Sequence, residues 1–127
     1  MSMCLGIFLS CQTITAGPVG YTCEVLYVYD LGDDGSLEVS NWQETMAGSN
    51  FSVSRETGKI SGAVLPTVRA KSTQVINPGS KEYSFKAVAD FGNQHQLLEV
   101  QEFKDVDLKP FVATSMGGAG IVTGLCE

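Results

Sequence analysis

The sequence predicts an all-β protein: an antiparallel meander of about eight strands forming a closed or flattened β-barrel, with a β-sandwich as the alternative. Three observations carry that expectation. From Tyr21 onward, short runs rich in β-branched and aromatic residues alternate with turn residues. No stretch holds apolar residues at helical spacing for three turns, so helix is at most incidental. Two cysteines, Cys23 and Cys126, flank the β-rich part of the chain.

The strands follow in order. Residues 21–31 (YTCEVLYVYDL) form the first, with Tyr21, Cys23, Val25, Tyr27 and Tyr29 on one face and a mixed face of Thr22, Glu24, Leu26, Val28 and Asp30 opposite. Gly32-Asp33-Asp34-Gly35 supplies a tight turn, and residues 36–39 begin the return. A second hairpin pairs residues 51–55, where apolar and polar residues alternate, with residues 59–65 across Glu56-Thr57-Gly58. Further strands are expected at 73–76, 83–89, 96–103, 111–115 and 121–126, punctuated by Pro78-Gly79, Gly92-Asn93 and Gly117-Gly118.

At 127 residues and 43% hydrophobic content the chain fits one domain around one core. Its sharpest boundary is compositional: residues 1–16 (MSMCLGIFLSCQTITA) carry no charged side chain, and every charge follows Gly17. An apolar run, a polar stretch and Ala16 before Gly17 read as a secretory signal peptide that lacks a basic opening, leaving residues 17–127 as a single β domain. Phe8-Leu9-Ser10-Cys11 is a poor match to a lipoprotein processing site, because Phe8 and Ser10 stand where Leu and Gly or Ala are wanted. Cys4 and Cys11 therefore read as small apolar residues of the leader.

After such a cut two cysteines remain, and an even count in an exported chain reads as a Cys23–Cys126 disulfide. Closing a loop of roughly 100 residues contributes about 4 to 5 kcal/mol on the chain-entropy model. Two buried free thiols are the alternative. Metal is poorly supported, since structural zinc takes four ligands and the domain offers two cysteines and one histidine. A disulfide needs its Cα atoms within about 4.4 to 6.8 Å, so the first and last strands become neighbours; in a meander that favours a closed barrel, although a sandwich pairing its terminal strands also satisfies it.

The net charge of −6 repels phosphate backbones and anionic bilayers, so no nucleic-acid partner is expected, and no apolar stretch is long enough for a transmembrane helix. Gly118-Ala119-Gly120 resembles a dinucleotide loop only superficially, because the chain ends before a helix can follow. Asp30, Asp33, Asp34 and Glu38 lack EF-hand spacing and read as a solvated hairpin. His95, the sole histidine, sits among Asn93, Gln94 and Gln96 in a polar turn and reads as structural. Glu99 and Glu102 read as solvent-facing strand residues, and Trp42 as packing at the core or its rim. No catalytic residue, metal ligand or cofactor is assigned.

Tyr21-Thr22-Cys23-Glu24-Val25, Asp33-Asp34-Gly35, the hairpin from Phe51 through Gly58 to Ile60, Lys109-Pro110-Phe111 and the closing Thr123-Gly124-Leu125-Cys126 together resemble small uncharacterised periplasmic or secreted all-β proteins of proteobacteria. The resemblance implies export and a disulfide and brings no activity; the N-terminus departs from it. The expected function is therefore a non-enzymatic binding or accessory protein of the cell envelope. Its partner would be a small apolar ligand inside the barrel, with Tyr21, Tyr27 and Tyr29 as candidate lining, or a protein at a sheet edge. An enzyme with a site assembled from distant residues, or an envelope assembly protein, are the alternatives.

Overall fold

The computed structural model describes residues 19–115 and 120–127. The expected leader of residues 1–16, with Cys4 and Cys11, and the expected turn at Gly117 and Gly118 lie outside the described residues. The β-rich sequence forms β1 (Gly20–Leu31), β2 (Leu37–Val39), one helical turn α1 (Gln43–Met46), β3 (Asn50–Ser54), β4 (Ile60–Gly62), β5 (Ser72–Pro78), β6 (Phe85–Asp90), β7 (His95–Val100), β8 (Lys109–Ser115) and β9 (Gly120–Cys126). The nine strands belong to one antiparallel sheet of order β4-β3-β1-β9-β8-β7-β6-β5, with β2 paired to β1 beside β3. The sheet curls on itself, so its inner face makes the core; a two-sheet sandwich does not describe it.

This is the strand order of an up-and-down barrel opened at one place. β1 and β9 are neighbours and Cys23 and Cys126 are disulfide-bonded, 103 residues apart in sequence and with Cα atoms 4.0 Å apart. Thr22 and Glu127 exchange both backbone hydrogen bonds beside them, which leaves the cysteines as the closer, non-hydrogen-bonded pair across the two strands. The barrel nevertheless does not close, because β4 and β5 do not pair. The reason lies in the chain after β4: Thr67 donates its N–H to the Ile60 carbonyl (3.0 Å) and accepts the Ile60 N–H on Oγ1 (2.9 Å), so the first residue of β4 has its outward groups already satisfied. The Thr57 carbonyl and Thr73 Oγ1 (2.8 Å) tie the β3–β4 turn to β5 across the gap.

Other expected strands are shorter for local reasons. The return strand of the second hairpin stops at Gly62, whose φ of 134° and approach to Phe51 exclude a side chain. Residues 80–83 turn instead of extending, since Ser80 Oγ accepts the N–H groups of Glu82 and Tyr83. The seventh strand ends at Val100, whose carbonyl accepts the Glu102 N–H at 2.8 Å.

Packing inside the curl is apolar, aliphatic side chains surrounding a few aromatic rings. Phe51, Phe85, Leu98, Val25, Val28, Val100 and Val122 are fully buried, each large side chain contributing about 1.5 to 3 kcal/mol. Phe51 meets Phe111 edge-on, with centroids 5.2 Å apart. Gly124, opposite Phe111, makes room: a Cβ there would overlap the Glu24 carbonyl and lie 2.7 Å from the Phe111 ring.

The face assigned to β1 from its alternation changes halfway. Tyr21, Cys23 and Val25 point inward, but a bulge between Val25 and Tyr27 flips the register, so Val28 is buried and Tyr27 is 53% exposed. Tyr27 and Tyr29 stack on the outer surface, centroids 6.3 Å apart, and do not line the interior. Gln43 holds the bulge with its carboxamide, which accepts the Val28 N–H (2.7 Å) and donates to the Leu26 carbonyl (3.0 Å) as a strand peptide would. With Ser49, Gly48 and Ser40 bonded to Val25 and Val28 on either side, the gap between β2 and β3 along β1 is filled.

Candidate functional site

The two ends of the curled sheet differ. At one end Tyr21, on β1, donates its hydroxyl to Glu102 Oε1 (2.6 Å), and the Arg55 guanidinium lies 5.2 Å from the Tyr21 ring centroid and 3.8 Å from Glu102. Arg55 also donates to the Pro78 carbonyl (2.7 Å) and the Gly79 carbonyl (3.2 Å), so one side chain joins the end of β3, the end of β5 and the loop after β7. Burial, reinforced by the hydrogen bond to Glu102, holds the Tyr21 hydroxyl well above the usual tyrosine range. Glu102 thus lies in a loop and is half-buried in this cluster, where a solvent-facing strand position was expected. Glu99 accepts from the buried Ser84 hydroxyl at 2.7 Å.

The opposite end is a mouth. A cleft of about 450 Å³ opens there between α1, the segment after β4, and the adjoining ends of β7 and β8; its apolar walls are Trp42, Met46, Ala63, Val64 and Leu65. Gln96 and Ser115 line it with Thr45 and Ser49 as its polar groups. Trp42 is held at the rim by its N–H to Ser40 Oγ (3.0 Å), and its side chain is 57% exposed. Leu65 is the one non-glycine residue among those described with a left-handed backbone (φ 56°), a conformation that costs a branched side chain about 1 to 2 kcal/mol. It persists because the buried Gln96 reaches across the mouth to donate Nε2 to the Leu65 carbonyl at 2.9 Å. Backbone strain fixed by a buried amide beside an apolar cleft marks a shaped surface.

The residues singled out from the sequence scatter around this site. Trp42 is at its rim. His95, next to Gln96, points outward, its Nε2 3.6 Å from Asp90 Oδ1 with both side chains largely in solvent. Asp30, Asp33, Asp34 and Glu38 form the β1–β2 hairpin; Asp34 accepts the Ser36 hydroxyl at 2.7 Å, which holds its carboxyl below the ordinary range. Among the described residues no three His, Cys, Asp or Glu side chains converge in a way that could hold a metal ion. No helix among them is long and apolar enough to cross a membrane.

Met46, Leu65 and Gln96 were not legible as a site, since they are spread over 50 residues of sequence and meet only through the curl of the sheet. Leu65-Pro66 held the one local sign, a break in the alternation that begins at Ile60. No family model, curated protein or solved structure matches the chain.

Proposed function

We propose that the protein is a non-enzymatic, exported binding protein of the cell envelope that takes a small, uncharged apolar ligand in the mouth cleft. The observation that carries this reading is the contrast between a filled interior and an apolar cleft at its end: Phe51, Phe85 and Leu98 occupy the inside of the curl, whereas exposed Trp42 and partly buried Met46 stand over a cleft floored by the buried Val64 and Leu65. The ligand thus sits at the mouth and not inside the barrel. Thr45, Ser49 and Ser115 around the rim offer hydrogen bonds to one polar group on an otherwise apolar molecule. Export is supported by the Cys23–Cys126 bond, which persists in oxidising compartments, and by the step in charge at Gly17. Periplasmic or secreted proteins of the resembling kind are the setting this reading implies.

Trp42 is the only tryptophan, so its fluorescence reports the cleft alone. Titration with N-phenyl-1-naphthylamine, a neutral apolar fluorophore, is expected to quench Trp42 saturably by energy transfer, and 1-decanol to reverse it. Replacing Leu65 with Ser should abolish the effect. Quenching that stays linear in ligand, or survives Leu65→Ser unchanged, would sink the reading.

A further inference from the structure

Gln96 uses only half of its carboxamide within the protein. Its Nε2 donates to the Leu65 carbonyl at 2.9 Å, while its Oε1 accepts from no described residue. Gln96 is only 6% exposed, and a buried oxygen left without a donor is unfavourable. The two ends of the group are not interchangeable here. A backbone carbonyl accepts and cannot donate, so the bond to Leu65 fixes the amide nitrogen on that side and the oxygen on the other. Gln96 and Leu65 both line the mouth cleft, which puts the carboxamide that joins them in the wall of the cleft. Each holds the other in place: the left-handed Leu65 backbone is kept by the amide, and the amide is oriented by the carbonyl it meets. The cleft thus carries one preoriented acceptor.

The rest of the lining narrows what that acceptor takes. Among the described residues no charged side chain lines the cleft, so an ionised carboxylate entering it would shed water with no cation to meet. Trp42, Met46 and Val64 give apolar contact to a chain. Ser115 stands directly across β7 and β8 from Gln96 and lines the same cleft, and a serine hydroxyl both donates and accepts. A hydroxyl or an amide N–H satisfies Gln96 Oε1; an ether, ester or ketone oxygen, itself only an acceptor, does not. We propose, resting on the reading of the mouth as a binding cleft, that Gln96 Oε1 selects the ligand there. The ligand is an uncharged amphiphile whose polar end carries an O–H or N–H donor, as a long-chain alcohol or a primary or secondary amide does.

The test is competition against N-phenyl-1-naphthylamine on the full chain, read through Trp42. 1-Decanol and 1-methoxynonane are isomers of equal size, and only the alcohol donates a hydrogen bond. The ether is the more apolar of the two, so partitioning alone would favour it. The alcohol is instead expected to bind at least about tenfold more tightly, since the ether leaves Oε1 unpaired. Decanoate, ionised at about pH 8, should bind more weakly than the alcohol. Gln96→Met keeps an unbranched side chain of similar length without the oxygen, and should bring alcohol and ether within about twofold of each other, whatever happens to their common affinity. In isotope-labelled wild type the Gln96 side-chain amide signals should shift more on adding 1-decanol than on adding 1-methoxynonane, a readout that needs no variant. Equal affinity of the two isomers for wild type, discrimination that survives Gln96→Met, or decanoate matching the alcohol would overturn the role of Gln96 and leave the cleft standing. Failure of both isomers to displace the fluorophore would remove the cleft reading and this inference with it, so the two claims fail distinguishably.

Discussion

The end of the sheet closed by Tyr21, Arg55 and Glu102 and the end opened by Trp42, Leu65 and Gln96 are built on the same strands, yet their side chains are spent differently. At the closed end Arg55 satisfies two carbonyls and stacks on Tyr21, whose hydroxyl is bonded to Glu102, and the disulfide pins β1 to β9 close by. At the mouth, Gln96 is spent on holding one strained loop residue, and the apolar lining runs from the buried Val64 and Leu65 to the exposed Trp42. The cross-links thus gather where the first and last strands meet, and the far end carries the exposed indole of Trp42 with few such ties.

That contrast is broken most readily by the disulfide. Reducing it, or replacing both Cys23 and Cys126 with Ala, should cost about 2 to 5 kcal/mol in chemical denaturation, since the bond closes a loop of 103 residues; a loss below about 1 kcal/mol would place the stability elsewhere. Arg55→Ala comes next, at about 1 to 3 kcal/mol, because it strips the Pro78 and Gly79 carbonyls and Glu102 of their shared partner. Melting of the variant measures it, and a change within error would mean that water replaces the guanidinium without cost.

Tyr21→Phe should cost about 1 kcal/mol at neutral pH. Since folding raises the Tyr21 pKa, its proton is held more tightly in the folded than in the unfolded chain. Its stabilising contribution is complete below the ordinary tyrosine value near 10 and is lost as pH climbs above that value. Denaturation at stepped pH should therefore show the gap between wild type and Tyr21→Phe closing above about pH 10; a gap that is flat with pH contradicts the buried hydrogen bond. The smallest effect belongs to the mouth. Trp42→Ala should change stability by no more than about 0.5 kcal/mol, because the indole is mostly exposed, while binding of 1-decanol followed by calorimetry falls at least severalfold.

Much of this molecule is legible in its sequence. The second hairpin, the positions of the later strands and the cysteine pair follow from alternation, turn residues and an even cysteine count, all local or compositional signals. What was not legible depends on partners distant in the chain. The reversal of β1 at Val25 needs Gln43, and a glutamine between strands carries no mark that its carboxamide will stand in for a peptide; the apolar Leu26 and Val28 on the supposed outer face of β1 were the one visible sign. The opening between β4 and β5 turns on Thr67 capping Ile60, a contact that threonine makes in some loops and not others. The mouth exists because Gln96 and Leu65, 31 residues apart, meet once the sheet has curled.

Ligand uptake at the mouth, and not in the interior or at the closed end, is read out by mapping backbone amide shifts of the labelled protein during titration with 1-decanol. The expected result is a saturable set of shifts confined to Trp42, Met46, Ser49, Ala63 to Leu65, Gln96 and Ser115, with Tyr21, Arg55 and Glu102 unmoved. Shifts centred on Phe51, Phe85 and Leu98, or on the closed end, or no saturable shift anywhere, would contradict it.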